Sequence, residues 1–237
     1  AVRGDALHSP ELTFHPVTVK PGAYEFAVGS AGSATLVLQT VLPALVQADA
    51  PSQVVVKGGT HNPLAPPFDF LGRSFLPQLG RMGASVEATL TRPGFFPAGG
   101  GRFEVRITPP NDGRLAPLTL LDRGELHARS ARALVSRLPQ HIGQRELARV
   151  ADSLGWGPDE RRLTLVPQPR GPGNALICAL EHAEVTAVFS GFGEKGVPAE
   201  RVADQTIAQV KRYLQADVPV CEHLADQLLI PLALAGC

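Results

Sequence analysis

The chain has 237 residues, enough to bury one large core or two small ones. Its 22 basic and 22 acidic residues cancel, which excludes a protein that coats DNA or RNA through many phosphate contacts but not one that grips an RNA end. Three cysteines, Cys178, Cys221 and Cys237, are too few and too scattered for a disulfide framework or a zinc site, so a reducing, cytoplasmic compartment is expected. No apolar run approaches the ~20 residues that span a bilayer, and the segment Ala1-Val2-Arg3-Gly4-Asp5 does not resemble a signal peptide.

In chain order, residues 12–14 and 23–28 read as short strands joined by a turn at Lys20-Pro21-Gly22. Gly29-Ser30-Ala31-Gly32-Ser33 then opens a helix over 34–47, with Leu36, Val37, Thr40, Val41 and Leu45 as its apolar face and Pro43 as a kink. That Gly/Ser turn offers free N–H groups to an anion, or simply caps the helix. Gln39 is polar on an apolar helix, so it is either a buried hydrogen-bonding group or a ligand contact.

The strand 53–57 leads into Lys57-Gly58-Gly59-Thr60-His61-Asn62-Pro63-Leu64-Ala65-Pro66-Pro67-Phe68-Asp69-Phe70. This is a stiff strand-to-helix loop, the place where α/β proteins build ligand sites. The helix after it runs to about residue 81, and its spacing buries Phe70, Leu71, Ser74, Phe75, Gln78, Leu79 and Met82. Strands over 84–92 and 102–108 alternate cleanly. The hairpin between them, Pro93-Gly94-Phe95-Phe96-Pro97-Ala98-Gly99-Gly100-Gly101, carries glycines that suit a backbone something approaches closely. Residues 23–108 therefore predict a βαβαββ sheet with both helices on one face.

After the breaker Pro109-Pro110-Asn111-Asp112-Gly113, the pattern gives a strand over 126–134, a helix over 140–154, strands at 163–166, 175–180 and 186–189, and a helix over 199–214. This is a second α/β unit. Glu222-His223-Leu224-Ala225-Asp226-Gln227 opens a last helix, apolar nearly all round through residue 235, which requires cover on several sides. The seven histidines make no metal spacing, and no Ser-His-Asp order, Walker-A loop or dinucleotide fingerprint is present. The residues alone point to one site built from the 29–33 turn, Gln39, the 57–70 loop, the 95–101 hairpin and the 222–227 helix start.

At these stretches the sequence resembles the RNA 3′-terminal phosphate cyclase family. The resemblance rests on Gly29-Ser30-Ala31-Gly32-Ser33 with Leu36-Val37-Leu38-Gln39-Thr40, Gly58-Gly59-Thr60 with Ala65-Pro66-Pro67, Gly94 to Gly101, Gly171-Pro172-Gly173-Asn174, Gly193-Glu194-Lys195 and Leu224-Ala225-Asp226-Gln227. It implies an α/β (α+β) fold of repeated βαβαββ units, shared with enolpyruvyl transferases, with a small α/β domain inserted. The implied division is a cyclase core over 1–118, the insert over 119–215 and a return to the core over 216–237. It also implies ATP and a divalent cation, Mg or Mn, as cofactors and an RNA 3′-phosphate end as partner. The family's reaction forms a 2′,3′-cyclic phosphodiester through a protein-histidine-AMP intermediate and an RNA-adenylate. Carried over, Gln39 and the segment His223, Leu224, Ala225, Asp226 and Gln227 contact ATP, with His223 and Pro67 on either side of the base. No catalytic histidine is assigned. The family's nucleophile lies beyond the Asp226-Gln227 pair in a Ser-x-His-x-x-Thr-Asn segment, and a first βαβαββ unit is expected before Ala1, so the chain reads as a cyclase truncated at both ends, either active or disabled by the loss. The alternatives are a non-catalytic relative acting in ribosome assembly and an enolpyruvyl-type transferase. The latter needs an array of Lys and Arg that these loops lack.

Overall fold

The computed structural model describes residues 2–236; Cys237 lies outside them. Two four-stranded sheets carry the chain. The first is built from β3 (Ala23–Ala27), β4 (Ser52–Gly58), β5 (Ser85–Arg92) and β6 (Gly101–Thr108), in the order β3-β4-β6-β5. β3 and β4 run parallel because α1 (Ala34–Leu45) connects them, and β5 and β6 form an antiparallel hairpin. This is the expected βαβαββ unit.

The second helical segment of that unit is three pieces in line: α2 (Phe68–Phe70), a π-helical turn (Leu71–Phe75) and α3 (Leu76–Arg81). All seven residues expected to face the core from it are buried. Sheet residues pack beneath, led by Val54, Val56, Phe103, Val105 and Ile107. The opposite sheet face is polar and solvated, with Lys57 paired to Glu25 and Arg102 to Glu104.

In α1 the buried residues are Ala34, Thr35, Leu38, Leu42 and Leu45. The sequence reading is corrected here: Leu36 and Thr40 face out, because the stripe that meets the core is Ala34, Leu38, Leu42 and Leu45. The N-terminal expectation also changes. β2 (Thr13–Phe14) pairs with β1 (Val2–Arg3), not with β3, and that small ladder is exposed.

The second sheet has the order β10-β9-β7-β8, from β7 (Leu126–Ser136), β8 (Arg161–Leu165), β9 (Gly173–His182) and β10 (Thr186–Phe192). α4 (His141–Leu154) makes the parallel crossover from β7 to β8, and α5 (Ala199–Gln215) packs beside it. β9 is buried along almost its whole length. On α5, Tyr213 is buried and the neighbouring Leu214 is exposed. Its ring lies under the Arg123 guanidinium at 4.9 Å, and its hydroxyl donates to the Pro219 carbonyl.

The last helix, α6 (Glu222–Leu234), returns to the first unit and packs on the π-helical turn through Leu224, Leu228 and Pro231. Its other side is open: Leu229 is 62% and Ile230 57% exposed. Polar ties join the two sheets. Arg73 pairs with Glu181, Arg81 with Glu184, and Arg132 of β7 with Asp69 of α2.

Candidate functional site

Three backbone segments meet where β4 ends. The Gly59 N–H donates to the Gly32 carbonyl at 2.8 Å, and the Thr60 and His61 N–H groups donate to Gly94. The Asn62 amide reaches the Ala31 carbonyl at 2.5 Å. This crowding explains the glycines. A Cβ on Gly59 would lie 2.0 Å from Asn62 Nδ2, and one on Gly99 would lie 2.5 Å from the Ser30 carbonyl oxygen. The chain that approaches the hairpin closely is the protein itself. Gly58 and Gly59 are needed for space, not for a left-handed backbone; Gly99 and Gly100 have φ of +64° and +74° and need both.

His61 is a buried structural residue. Its Nδ1 lies 2.8 Å from the Thr60 hydroxyl and its Nε2 2.9 Å from Asp69 Oδ2, while Asp69 Oδ1 accepts from Arg132. Burial pushes the Asp69 carboxyl up. The hydrogen bond and charge of His61, with the charges of Arg132 and Arg73, outweigh it and hold the group below the usual aspartate range. This chain of contacts fixes the start of α2, just after Pro67, whose own carbonyl accepts from Phe70.

The main cleft, about 590 Å³, opens between the two units. Residues 63–67 and Phe70 form one wall, the end of β10 with Glu194 another, and Gln205 and Gln209 of α5 a third. The start of α6 closes it with His223, Asp226 and Gln227. Of the residues expected to contact ATP, Pro67, His223, Asp226 and Gln227 line this cleft. Gln39 joins them by donating to Gln227 from a position 188 residues earlier. Leu224 points into the core and is fully buried, and Ala225 is exposed but does not line the cleft. Ser190, Phe192, Glu194, Gln205 and Gln209 were not anticipated. The two glutamines sit one helical turn apart on the polar face of α5, a spacing indistinguishable in sequence from an ordinary solvated face.

The single site expected from sequence is two adjoining clefts. The 29–33 turn and the hairpin do not reach the main one. They frame a second of about 380 Å³, and the segment 63–65 is the wall between them. No group of three His, Cys, Asp or Glu side chains that could hold a metal ion occurs among the described residues. Cys178 and Cys221 are both buried free thiols, and burial together with the Glu146 charge pushes the Cys178 thiol up to about 12.

Comparison with known proteins decides the family. The family model described as RNA 3′-terminal phosphate cyclase matches residues 1–237. The chain belongs to the RNA 3′-terminal phosphate cyclase family. It is 50% identical over 233 residues to the RNA 3′-terminal phosphate cyclase of Ectopseudomonas mendocina, covering 98% of this chain and 67% of that protein. For the cyclase of Koribacter versatilis the identity is 49% over 235 residues, covering 99% and 66%. For that of Salmonella enteritidis it is 46% over 235 residues, covering 99% and 68%. The chain thus spans about two thirds of the length of these curated cyclases. In this structure His223, Asp226 and Gln227 line the same cleft as residues 63–67 and Phe70, although the two segments are far apart in sequence.

Proposed function

We propose that this chain is the nucleotide-binding body of an ATP-dependent RNA 3′-phosphate cyclase, with the nucleoside of ATP held in the main cleft. The observation that carries this reading is the convergence of Pro67, His223, Asp226 and Gln227 on one cavity of about 590 Å³, within the range typical of small-ligand sites. Pro67 and the His223 imidazole supply flat faces for a purine. Asp226 accepts from amino or hydroxyl groups, and the Gln39–Gln227 pair fixes an amide for the base or ribose.

No Lys or Arg is among the residues lining the cleft, while Glu194 and Asp226 are. That composition suits a nucleoside whose phosphates arrive with a divalent cation, because Mg²⁺ is commonly held by one or two carboxylates and substrate phosphates. The cation would neutralise phosphate charge. The same composition disfavours an enolpyruvyl-type transferase.

In the reaction, a histidine attacks the α-phosphate and pyrophosphate leaves. AMP then passes to an oxygen of the RNA 3′-phosphate. The neighbouring 2′-OH attacks that phosphorus, loses its proton and displaces AMP, which closes the 2′,3′-cyclic ester. None of the described histidines is assigned as the nucleophile. We place the core over 1–118 and 216–237, the insert over 119–215, and the protein in the cytoplasm.

Incubation with α-labelled ATP and Mg²⁺ or Mn²⁺, alongside calorimetric titration of ATP, tests the reading. ATP binding that Gln227→Ala weakens supports it. An acid-labile, alkali-stable label on the protein would place the AMP-accepting histidine within this chain. ATP binding without label favours a non-catalytic binding role for these residues alone. A folded chain that binds no ATP at millimolar concentration overturns the proposal.

A further inference from the structure

The second cleft, beside the first, is lined by Ser30, Ser33, Leu36, Asn62, Leu64 and Phe96 among others. Three of these are apolar side chains left in solvent: Leu64 is fully exposed, Phe96 is 68% exposed and Leu36 is 43% exposed. Isolated exposed apolar residues are ordinary, but three around one hollow of about 380 Å³ make an apolar-walled slot. Polar groups border it. The Ser30 and Ser33 hydroxyls stand at the start of α1, and Asn62, buried in the lining, has an Oδ1 with no hydrogen-bond partner.

Cationic groups lie along the same hairpin. Arg92 donates to the Gly100 carbonyl at 2.6 Å, and the Arg170 side chain packs against Gly100, where a Cβ would meet its Cγ at 2.7 Å. Neither guanidinium is paired with a carboxylate, whereas ten other ion pairs are formed among the described residues. An exposed aromatic ring on a hairpin that Arg92 enters and the Arg170 side chain packs against, both without a carboxylate partner, is the combination that holds single-stranded nucleic acid, the ring by stacking and the arginines by phosphate contact.

We infer that this cleft is a nucleobase subsite for the RNA strand, taking a base next to the reacting 3′ end against Phe96, with Arg92 and Arg170 beside the phosphates that follow. The inference rests on the reading of the main cleft as the ATP site, since the shared 63–65 wall is what sets the two ligands side by side. RNA is favoured over a peptide because the slot combines apolar walls with hydroxyls, and the hairpin that carries Phe96 also holds Arg92 and Arg170 against Gly100. Leu64 at the crest of the wall would touch both ligands.

The test uses short oligoribonucleotides ending in a 3′-phosphate, with 2-aminopurine at the last or the next-to-last position, and separate calorimetry with ATP. Stacking on Phe96 quenches the probe. Phe96→Ala is expected to abolish the quench and weaken RNA binding about tenfold while leaving ATP affinity unchanged, and Phe96→Trp to restore both. Arg170→Ala is expected to weaken RNA binding and reduce its salt dependence without removing the quench. Because Phe96 and Arg170 are exposed, these variants should fold. Unchanged RNA affinity in Phe96→Ala overturns the subsite. So does a loss confined to ATP, which would make the second cleft an extension of the first. Wild-type chain that binds ATP but no RNA overturns the subsite alone; wild-type chain that binds neither overturns the functional reading with it.

Discussion

Single residues carry unusual energies at three points. Glu146 of α4 is fully buried; its Oε2 accepts from Asn174 at 3.0 Å, and its Oε1 has no partner. Burial, only partly offset by that hydrogen bond, pushes its carboxyl up to about 7. The folded state therefore holds a proton that the unfolded chain releases near pH 4.5, so stability falls as pH rises from there to about 7. The difference corresponds to about 3 kcal/mol of destabilisation once the group is ionised. Glu146→Gln should raise the urea midpoint at pH 8 and leave it nearly unchanged at pH 5; a gain at pH 5 instead would contradict the assignment. Gly59 shows the opposite kind of constraint. Gly59→Ala places a methyl group against Asn62 and the Ala31 carbonyl, and should cost about 2–3 kcal/mol in a denaturant melt. Asp69 is the third. Its lowered folded pKa means that its contribution is complete above the ordinary aspartate range and is lost as pH falls through the lowered value. Asp69→Asn should cost about 2 kcal/mol at pH 7 and flatten the acid limb of the stability profile.

At the scale of elements, the 68–81 segment and α6 matter most. The π-helical turn sits between α2 and α3, where α6 rests, so the start of α6 is positioned by the same helix whose preceding loop walls the main cleft. The buried side of α6 is narrow. Leu229 and Ile230 stay exposed on the other side, against the expectation of cover on several sides. Apolar surface of this kind drives association. The 237-residue chain should self-associate at tens of micromolar in light scattering, and Leu229→Glu with Ile230→Glu should return it to a monomer; a monodisperse wild-type monomer would refute this.

For the molecule as a whole, the main cleft depends on how the units meet. Arg73–Glu181, Arg81–Glu184 and Asp69–Arg132 hold the helical face of the first sheet against the second. The first two pairs are well exposed and contribute little each, about 0–1 kcal/mol, so the buried Asp69 contact carries most of the polar coupling. Arg132→Ala should therefore weaken ATP binding by shifting the 63–67 wall, with a larger effect than Arg81→Ala. Equal effects of the two, measured by calorimetry, would show that the wall is held by apolar packing instead.

Sequence by itself determined the βαβαββ unit, the inward residues of the 68–81 segment and the family. These follow from strict period-two alternation, helical spacing and motifs in fixed order, all properties of neighbouring residues. It also named four of the residues that line the main cleft, Pro67, His223, Asp226 and Gln227, and Gln39, which joins them. Only the tertiary structure decided what those residues do to one another. The 39–227 pair, the division of one expected site into two clefts and the contribution of Gln205 and Gln209 depend on contacts between segments far apart in the chain. The same holds for His61 and the hairpin glycines. A polar histidine in a loop and a run of glycines look like ligand contacts until Asp69, Arg132, Ser30 and Ala31 are seen against them. The face of α1 was misread for a related reason. Which side of an apolar helix is buried is set by the closeness of the sheet beneath it, and that closeness is not written in the periodicity of the helix.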